Sequence, residues 1–258
     1  MHLPLSAATT PRLVVLPHTG STNDDLRALA AEPDAVPFTA VVTGDQRAGR
    51  GRRGRDWSAP AGRSLAISVL LAPATPASGW IPLVAGLAVV EAVRAVLPAD
   101  AVVALKWPND PQVSGRKVSG VLAELLPDGR VVVGAGINLA LGAEELPTPV
   151  STSLLLEGAT LAGDALADAV LSGYLRALRA LAARLDAARG DAGAAGIRAL
   201  LLEECATVGR AVRVELPDGS ALHGTATGID ADGRLLVAPD GAPERAVAAG
   251  DVTHLRYE

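Results

Sequence analysis

A single cysteine, Cys205, stands among 258 residues, so the chain can form no internal disulfide and no CxxC metal site. A lone cysteine fits a reducing compartment, where it is expected to serve as a small buried hydrophobe. Aromatic residues make up 2% of the chain, which removes the stacking platforms that an oligonucleotide-binding surface needs. The four histidines, His2, His18, His223 and His254, are scattered without metal-ligand spacing, and neither HExxH nor GxSxG occurs, so zinc or serine hydrolase chemistry has no support. The longest apolar run, Ile81 to Val90, soon meets Glu91 and Arg94 and falls well short of the roughly 20 residues that span a bilayer. No basic segment followed by an apolar run and a cleavage site marks the N-terminus. The expectation is a cytoplasmic protein with no membrane and no DNA partner, because a net charge of -5 and a pI near 5.4 oppose general affinity for nucleic acid.

Against that acidic background, Gly44 to Trp57 reads GDQRAGRGRRGRDW, with five arginines and four glycines. Arginine offers fixed charge and a planar donor fork that matches carboxylate or phosphate oxygens, and glycine lets backbone come close to a ligand. The pattern alone also fits a disordered RNA-binding segment. Lysine is rarer still. The two lysines, Lys106 and Lys117, lie in Lys106-Trp107-Pro108-Asn109-Asp110 and in Arg116-Lys117-Val118-Ser119-Gly120. An arginine-rich composition makes lysine scarce anyway, yet a compact ammonium on a flexible stem is a movable point charge that guanidinium does not replace.

Ser21-Thr22-Asn23, the run from Gln46 to Arg55, KWPND, RKVSG and Gly134-Ala135-Gly136-Ile137-Asn138 together resemble, in order and spacing, the biotin protein ligases. The motifs span Ser21 to Asn138, and a segment near Val208 to Arg256 resembles that family's small cap domain. Two domains are expected: a catalytic biotin- and ATP-binding domain over 1–206 and a small C-terminal domain over 207–258. Some members carry an N-terminal winged helix-turn-helix, and the twenty residues before Ser21 are too few for one, so the monofunctional type is expected.

The expected fold is α+β. Leu13 to Leu16 reads as an edge strand after a polar, proline-marked lead-in, and Ser21 or Thr22 as the N-cap of a helix through Asp24 to Ala31. Ala40 to Thr43 and Ser64 to Leu71 read as strands on either side of the Arg/Gly run. Trp80 to Leu97 reads as a buried helix opened by Pro82 and closed by Pro98. Val102 to Trp107 reads as a strand entering a turn at Pro108-Asn109-Asp110, and Val118 to Leu126 with Arg130 to Leu139 as a hairpin around Pro127-Asp128-Gly129. Residues Pro111 to Gly115 depart from the apolar strand the family more often has, and are read as a loop. Thr160 to Arg189 and Ile197 to Cys205 carry helical periodicity. A mixed sheet with helices on one side is expected, followed from Val208 by short strands broken at Pro217-Asp218-Gly219 and Asp230 to Gly233, an SH3-like β-barrel.

The resemblance implies that biotin is joined to AMP at the expense of ATP, releasing pyrophosphate, and is then passed to a lysine of a biotin carboxyl carrier domain of a carboxylase. Both steps build charge on oxygen, so positioned cations suffice without a nucleophilic side chain. Carried over by residue, Ser21, Thr22, Asn23, Gln46, Gly49, Arg50, Gly51, Arg52, Lys117, Gly120 and Gly134 match the biotin site, with Lys117 and Arg52 the catalytic candidates. Arg52, Arg53, Arg55, Lys106, Trp107, Asn109, Lys117 and Asn138 are the nucleotide candidates. Arg53 and Arg55 also suit a role in the loop's own shape, Lys106 the orientation of the turn, and Trp107 core packing. Asn109 and Asp110 offer hard oxygens to magnesium, though both are also ordinary turn residues. A lipoate or octanoate ligase and an Arg/Gly-based nucleic-acid module are the competing expectations.

Overall fold

The computed structural model describes residues 1–74, 79–216, 218–248 and 250–254. Pro217 of one expected turn, and the end of the expected barrel at 255–258, lie outside the described residues. In chain order the elements are α1 (Pro4–Ala7), β1 (Leu13–Leu16), α2 (Thr22–Ala30), β2 (Ala40–Thr43), β3 (Gly49–Arg50), β4 (Asp56–Trp57), β5 (Ser64–Leu71), α3 (Ile81–Arg94), β6 (Val103–Lys106), β7 (Asp110–Val113) and β8 (Arg116–Lys117). There follow β9 (Ser119–Leu125), β10 (Val131–Asn138), α4 (Gly163–Ala187), α5 (Ile197–Glu204), β11 (Ala211–Glu215), β12 (Ala221–Ile229), β13 (Leu235–Ala238), β14 (Arg245–Val247) and β15 (Asp251–His254). No helix among the described residues is long and apolar enough to cross a membrane.

The main sheet runs β1-β2-β5-β10-β9, with β1 parallel to β2 and every other pair antiparallel. Side chains alternate across a strand, so β5 and β10 serve two different faces. Leu65, Ile67, Val69 and Leu71 of β5 join Val131, Val133, Ala135 and Ile137 of β10 in one core with α3 and α4. The opposite face carries Leu70 and Val132 under Leu26 and Ala30 of α2, and then Ser68, Gly134 and Gly136. Helices therefore cover both faces, not one as expected: α2 is short enough to cover one end of its face and leaves the rest open.

Two local departures from expectation have tertiary causes. The polar lead-in forms α1, because Asp168 of α4 accepts the N–H groups of Leu5 (2.9 Å) and Ser6 (2.8 Å) and the Ser6 hydroxyl (2.6 Å). These hydrogen bonds hold the Asp168 carboxylate below its ordinary value although burial opposes them. The segment read as a loop after KWPND is instead strand β7, antiparallel to β6, and it turns through Ser114 (φ 50) and Gly115 (φ 76) into β8. Pro111 is tolerated there at the strand's start, on a small three-stranded sheet.

From β11 onward the chain builds the five-stranded antiparallel sheet of an SH3-like domain, ordered β14-β13-β12-β11-β15. Val212, Val214, Leu222, Ala226, Ile229, Leu235, Val237, Val247 and Val252 fill its interior. Two indoles join it to the rest of the molecule: Trp80 Nε1 donates to the Ala231 carbonyl (2.7 Å) and Trp107 Nε1 to the Gly233 carbonyl (3.1 Å).

Candidate functional site

On the open face of the main sheet lies a pocket of about 110 Å³. Its floor is made by residues of β5, β9 and β10 that have little or no side chain: Ala66, Gly120, Gly134 and Gly136. Two of these glycines are required by what lies on them. A Cβ at Gly134 would overlap the Asn23 amide, and one at Gly136 would overlap the Trp57 indole.

Ser21, Thr22 and Asn23 enter the pocket from the start of α2. Ser21 is the N-cap residue, but its hydroxyl makes no capping hydrogen bond. The cap comes from the Arg/Gly loop instead, where Gln46 Oε1 accepts the Thr22 N–H at 2.9 Å. Below them the Ser68 hydroxyl donates to Thr22 Oγ1 (2.8 Å) or Asn23 Oδ1 (2.6 Å). These groups form a ring of neutral donors and acceptors at one end of the pocket.

Cations converge at the other end. Lys117 Nζ lies 2.6 Å from Asp110 Oδ1, placed there because β8 folds back beside β7. The same ammonium sits over the Trp57 ring, 5.9 Å from its centre. Arg52 Nη1 donates to Asn109 Oδ1 (3.0 Å), and Asn109 Nδ2 to the Val121 carbonyl (2.7 Å). Arg55 also lines the pocket. Gly134 lies under Asn23 of the neutral ring, and Gly120, on the neighbouring strand nearer the cations, lies beside Lys117.

Gly49 and Gly51 shape the loop rather than its charge. Gly49 faces Trp57 across the β3–β4 hairpin, and Gly51 donates to the Arg55 carbonyl (2.6 Å). Arg53 sits in a left-handed conformation (φ 58) in the loop's 3-10 turn and is not among the pocket-lining residues. Arg50, expected to meet carboxylate or phosphate, pairs with Asp24 at the rim. Asn138 does not reach the pocket: it ends β10, and its amide donates to the Thr152 carbonyl (2.9 Å). Trp107 is buried with its indole N–H turned to the C-terminal domain, so it packs beneath the site. Lys106 lies close enough to His254 of β15 to help, after burial, to depress that imidazole to about 4.

Among the described residues no cluster of three His, Cys, Asp or Glu side chains exists that would hold a metal alone. Asp110 and Asn109 nonetheless fit a magnesium ion that arrives on phosphate, since such an ion keeps its waters and takes one or two protein oxygens. Asp110 has a carboxylate oxygen beyond the one that faces Lys117, whereas the Asn109 oxygen already accepts from Arg52.

The arrangement accords with the relatives. Residues 16–140 match the Biotin/lipoate A/B protein ligase family and 207–255 the Biotin protein ligase C terminal domain. A biotin--[acetyl-CoA-carboxylase] ligase of Mycobacterium tuberculosis is 41% identical over 95% of this chain and 90% of its own length. The chain belongs to the biotin protein ligases. A second biotin--[acetyl-CoA-carboxylase] ligase, from Paracoccus denitrificans, is 34% identical over 86% of this chain and 92% of its own. The solved biotin protein ligase of Aquifex aeolicus in complex with biotin and ATP superposes with a TM-score of 0.74 at 26% identity, covering 96% of this chain and all of that one.

Two features of the site escaped the sequence reading of this biotin protein ligase. Ser68, buried beneath Thr22 and Asn23 and outside the pocket lining, lies in a strand whose apolar run masks it. Trp57 carries a buried indole N–H without a hydrogen-bond partner. A tryptophan closing an Arg/Gly loop in a chain so poor in aromatics was a signal for it.

Proposed function

We propose that the chain activates biotin with ATP to biotinyl-AMP, releasing pyrophosphate, and then transfers biotin to a lysine of a biotin carboxyl carrier domain of a carboxylase. One observation carries this reading: a single glycine-floored pocket presents a neutral hydrogen-bonding ring at one end and Lys117, Arg52 and Arg55 at the other. That polarity suits an acid with a neutral polar head and an anionic tail.

In the first step a carboxylate oxygen attacks the α-phosphorus of ATP, and the bond to the bridging oxygen breaks as pyrophosphate leaves. Ser21, Thr22 and Gln46 hold the head, and the partnerless Trp57 N–H supplies a further donor. Lys117 and Arg52 stand where negative charge grows on phosphate oxygens, and fixed donors of this kind lower such a barrier without reorganising. Magnesium, held by Asp110 with Asn109 nearby, would neutralise phosphate charge. In the second step the carrier amine attacks the acyl carbon, the bond to AMP breaks with its electron pair on phosphate, and the amine proton passes to water.

The segments 1–206 and 207–258 work on this reading as a catalytic unit and a cap. The two indole hydrogen bonds and the approach of Arg52 to the Gly250 carbonyl (3.5 Å) support a cap that sits beside the cationic end. The test is mass spectrometry of a carrier domain incubated with the protein, ATP, magnesium and biotin. One biotin on one lysine is expected. Pyrophosphate exchange driven by lipoate or octanoate but not by biotin would replace the substrate in this reading.

A further inference from the structure

Arg50 lines the pocket, and its guanidinium is held at the rim by acidic side chains. Its guanidinium grips Asp24 with both arms, Nη1 to Oδ2 and Nη2 to Oδ1, each at 2.7 Å, and Nη2 lies 3.5 Å from Glu124 Oε1. Arg27 reaches the same two carboxylates, at 2.6 Å from Asp24 Oδ1 and 3.0 Å from Glu124 Oε2. Glu124 is oriented further by the Asn23 amide, whose Nδ2 donates to Oε2 at 2.7 Å. Two cations and two anions thus meet on the rim where α2, the edge strand β9 and the Arg/Gly loop converge.

The mechanical consequence follows from Arg50's place in the chain. Arg50 lies in β3 opposite Asp56 of β4, and the next pair of that hairpin is Gly49 with Trp57. Whatever holds Arg50 therefore holds the hairpin that lays Trp57 on the Gly136 floor. An exposed ion pair contributes little on its own. This one is a bidentate fork onto carboxylates already oriented by Arg27 and Asn23, so less side-chain freedom is lost when it closes. The Arg50 guanidinium also holds the Asp24 carboxyl below its ordinary value.

We propose that Asp24 and Glu124 are positioning residues that latch Arg50, and with it the Trp57 hairpin, over the pocket, and so set how long an acyl-adenylate is retained before transfer. This rests on the adenylating reading above. Neither carboxylate touches the reacting atoms; both act through Arg50.

The experiment forms labelled biotinyl-adenylate on the enzyme from biotin and ATP, then follows its release without acceptor. Asp24→Asn and Glu124→Gln are each expected to speed release about fivefold, and the double variant roughly tenfold or more. Single-turnover adenylation at saturating substrates should change less than twofold, since the latch is not at the chemistry. Asp24→Glu should keep release slow, a rescue that a purely structural role for the position would not require. Added salt should speed release from the wild type more than from the double variant. Equal release from wild type and double variant overturns the latch alone. A wild type that forms no adenylate from biotin and ATP overturns the adenylating reading, and the latch with it.

Discussion

The two faces of the main sheet are made by alternate residues of the same strands, yet they obey opposite rules. On the face toward α3 and α4, Leu65, Ile67, Val69, Val131, Val133 and Ile137 fill space with branched apolar side chains. On the other face the same strands offer Ala66, Gly134 and Gly136, and leave space. Stability comes from the first face and recognition from the second. The backbone of β5 and β10 is rigid for the second purpose because it is packed for the first.

The contrast is sharpest at Lys117. On the proposed reading, Lys117→Ala should lower biotin-dependent pyrophosphate exchange by about 1,000-fold with little change in melting temperature, because it removes a partly exposed charge and no core side chain. Arginine at that position should fail to restore exchange, its wide fork being unable to occupy the same point. Next in size is the packed face. Leu65→Ala should cost about 3 kcal/mol of unfolding free energy in denaturant melts, with a KM for biotin within twofold of wild type. A large KM change there would show that the faces are not independent.

Gly136→Ala turns the comparison round by adding one carbon to the open face. The methyl must displace the Trp57 indole, at a cost of roughly 1–3 kcal/mol to the closed hairpin, so calorimetry should show biotin affinity reduced by about 5- to 150-fold. The smallest effect belongs to the joint with the C-terminal domain. His254, depressed to about 4 from 6.5 mainly by burial, stays neutral when folded but takes a proton when unfolded anywhere between those values. Its contribution is therefore complete above pH 6.5 and is lost as pH falls toward 4. His254→Gln should flatten the fall of melting temperature over that window, and an unchanged slope would assign the fall to other groups.

Much of this was legible in the chain. Strands β2, β5, β6, β9 and β10 announce themselves as apolar runs between turn residues, and their observed bounds match or shift by a residue at each end. The pocket's composition was legible because its motifs are contiguous. What could not be read is whatever depends on distant side chains meeting. That Arg50, a pocket-lining residue, also pairs with Asp24, 26 residues away, and Glu124, 74 away, was not legible. Asn138 shares a strand face with Gly134 and Gly136, but it lies at the end of β10 beyond the pocket lining, where its amide meets the Thr152 carbonyl, a partner the motif does not announce. β7 was hidden because Pro111 breaks the apolar pattern that usually signals a strand.

The three tryptophans are placed so that the molecule carries its own optical reporters. Trp80 and Trp107 are both fixed by indole hydrogen bonds to the turn at residues 231–233, whereas Trp57 lies on bare glycine backbone over the pocket floor. Emission from Trp57 will respond to whatever fills the pocket, and emission from the other two to the seating of the C-terminal domain. Replacing Trp57 by phenylalanine leaves a chain whose intrinsic fluorescence sees only that seating; replacing the other two leaves one that sees only the ligand. A titration with each separates, in unlabelled protein, events that activity measurements necessarily mix.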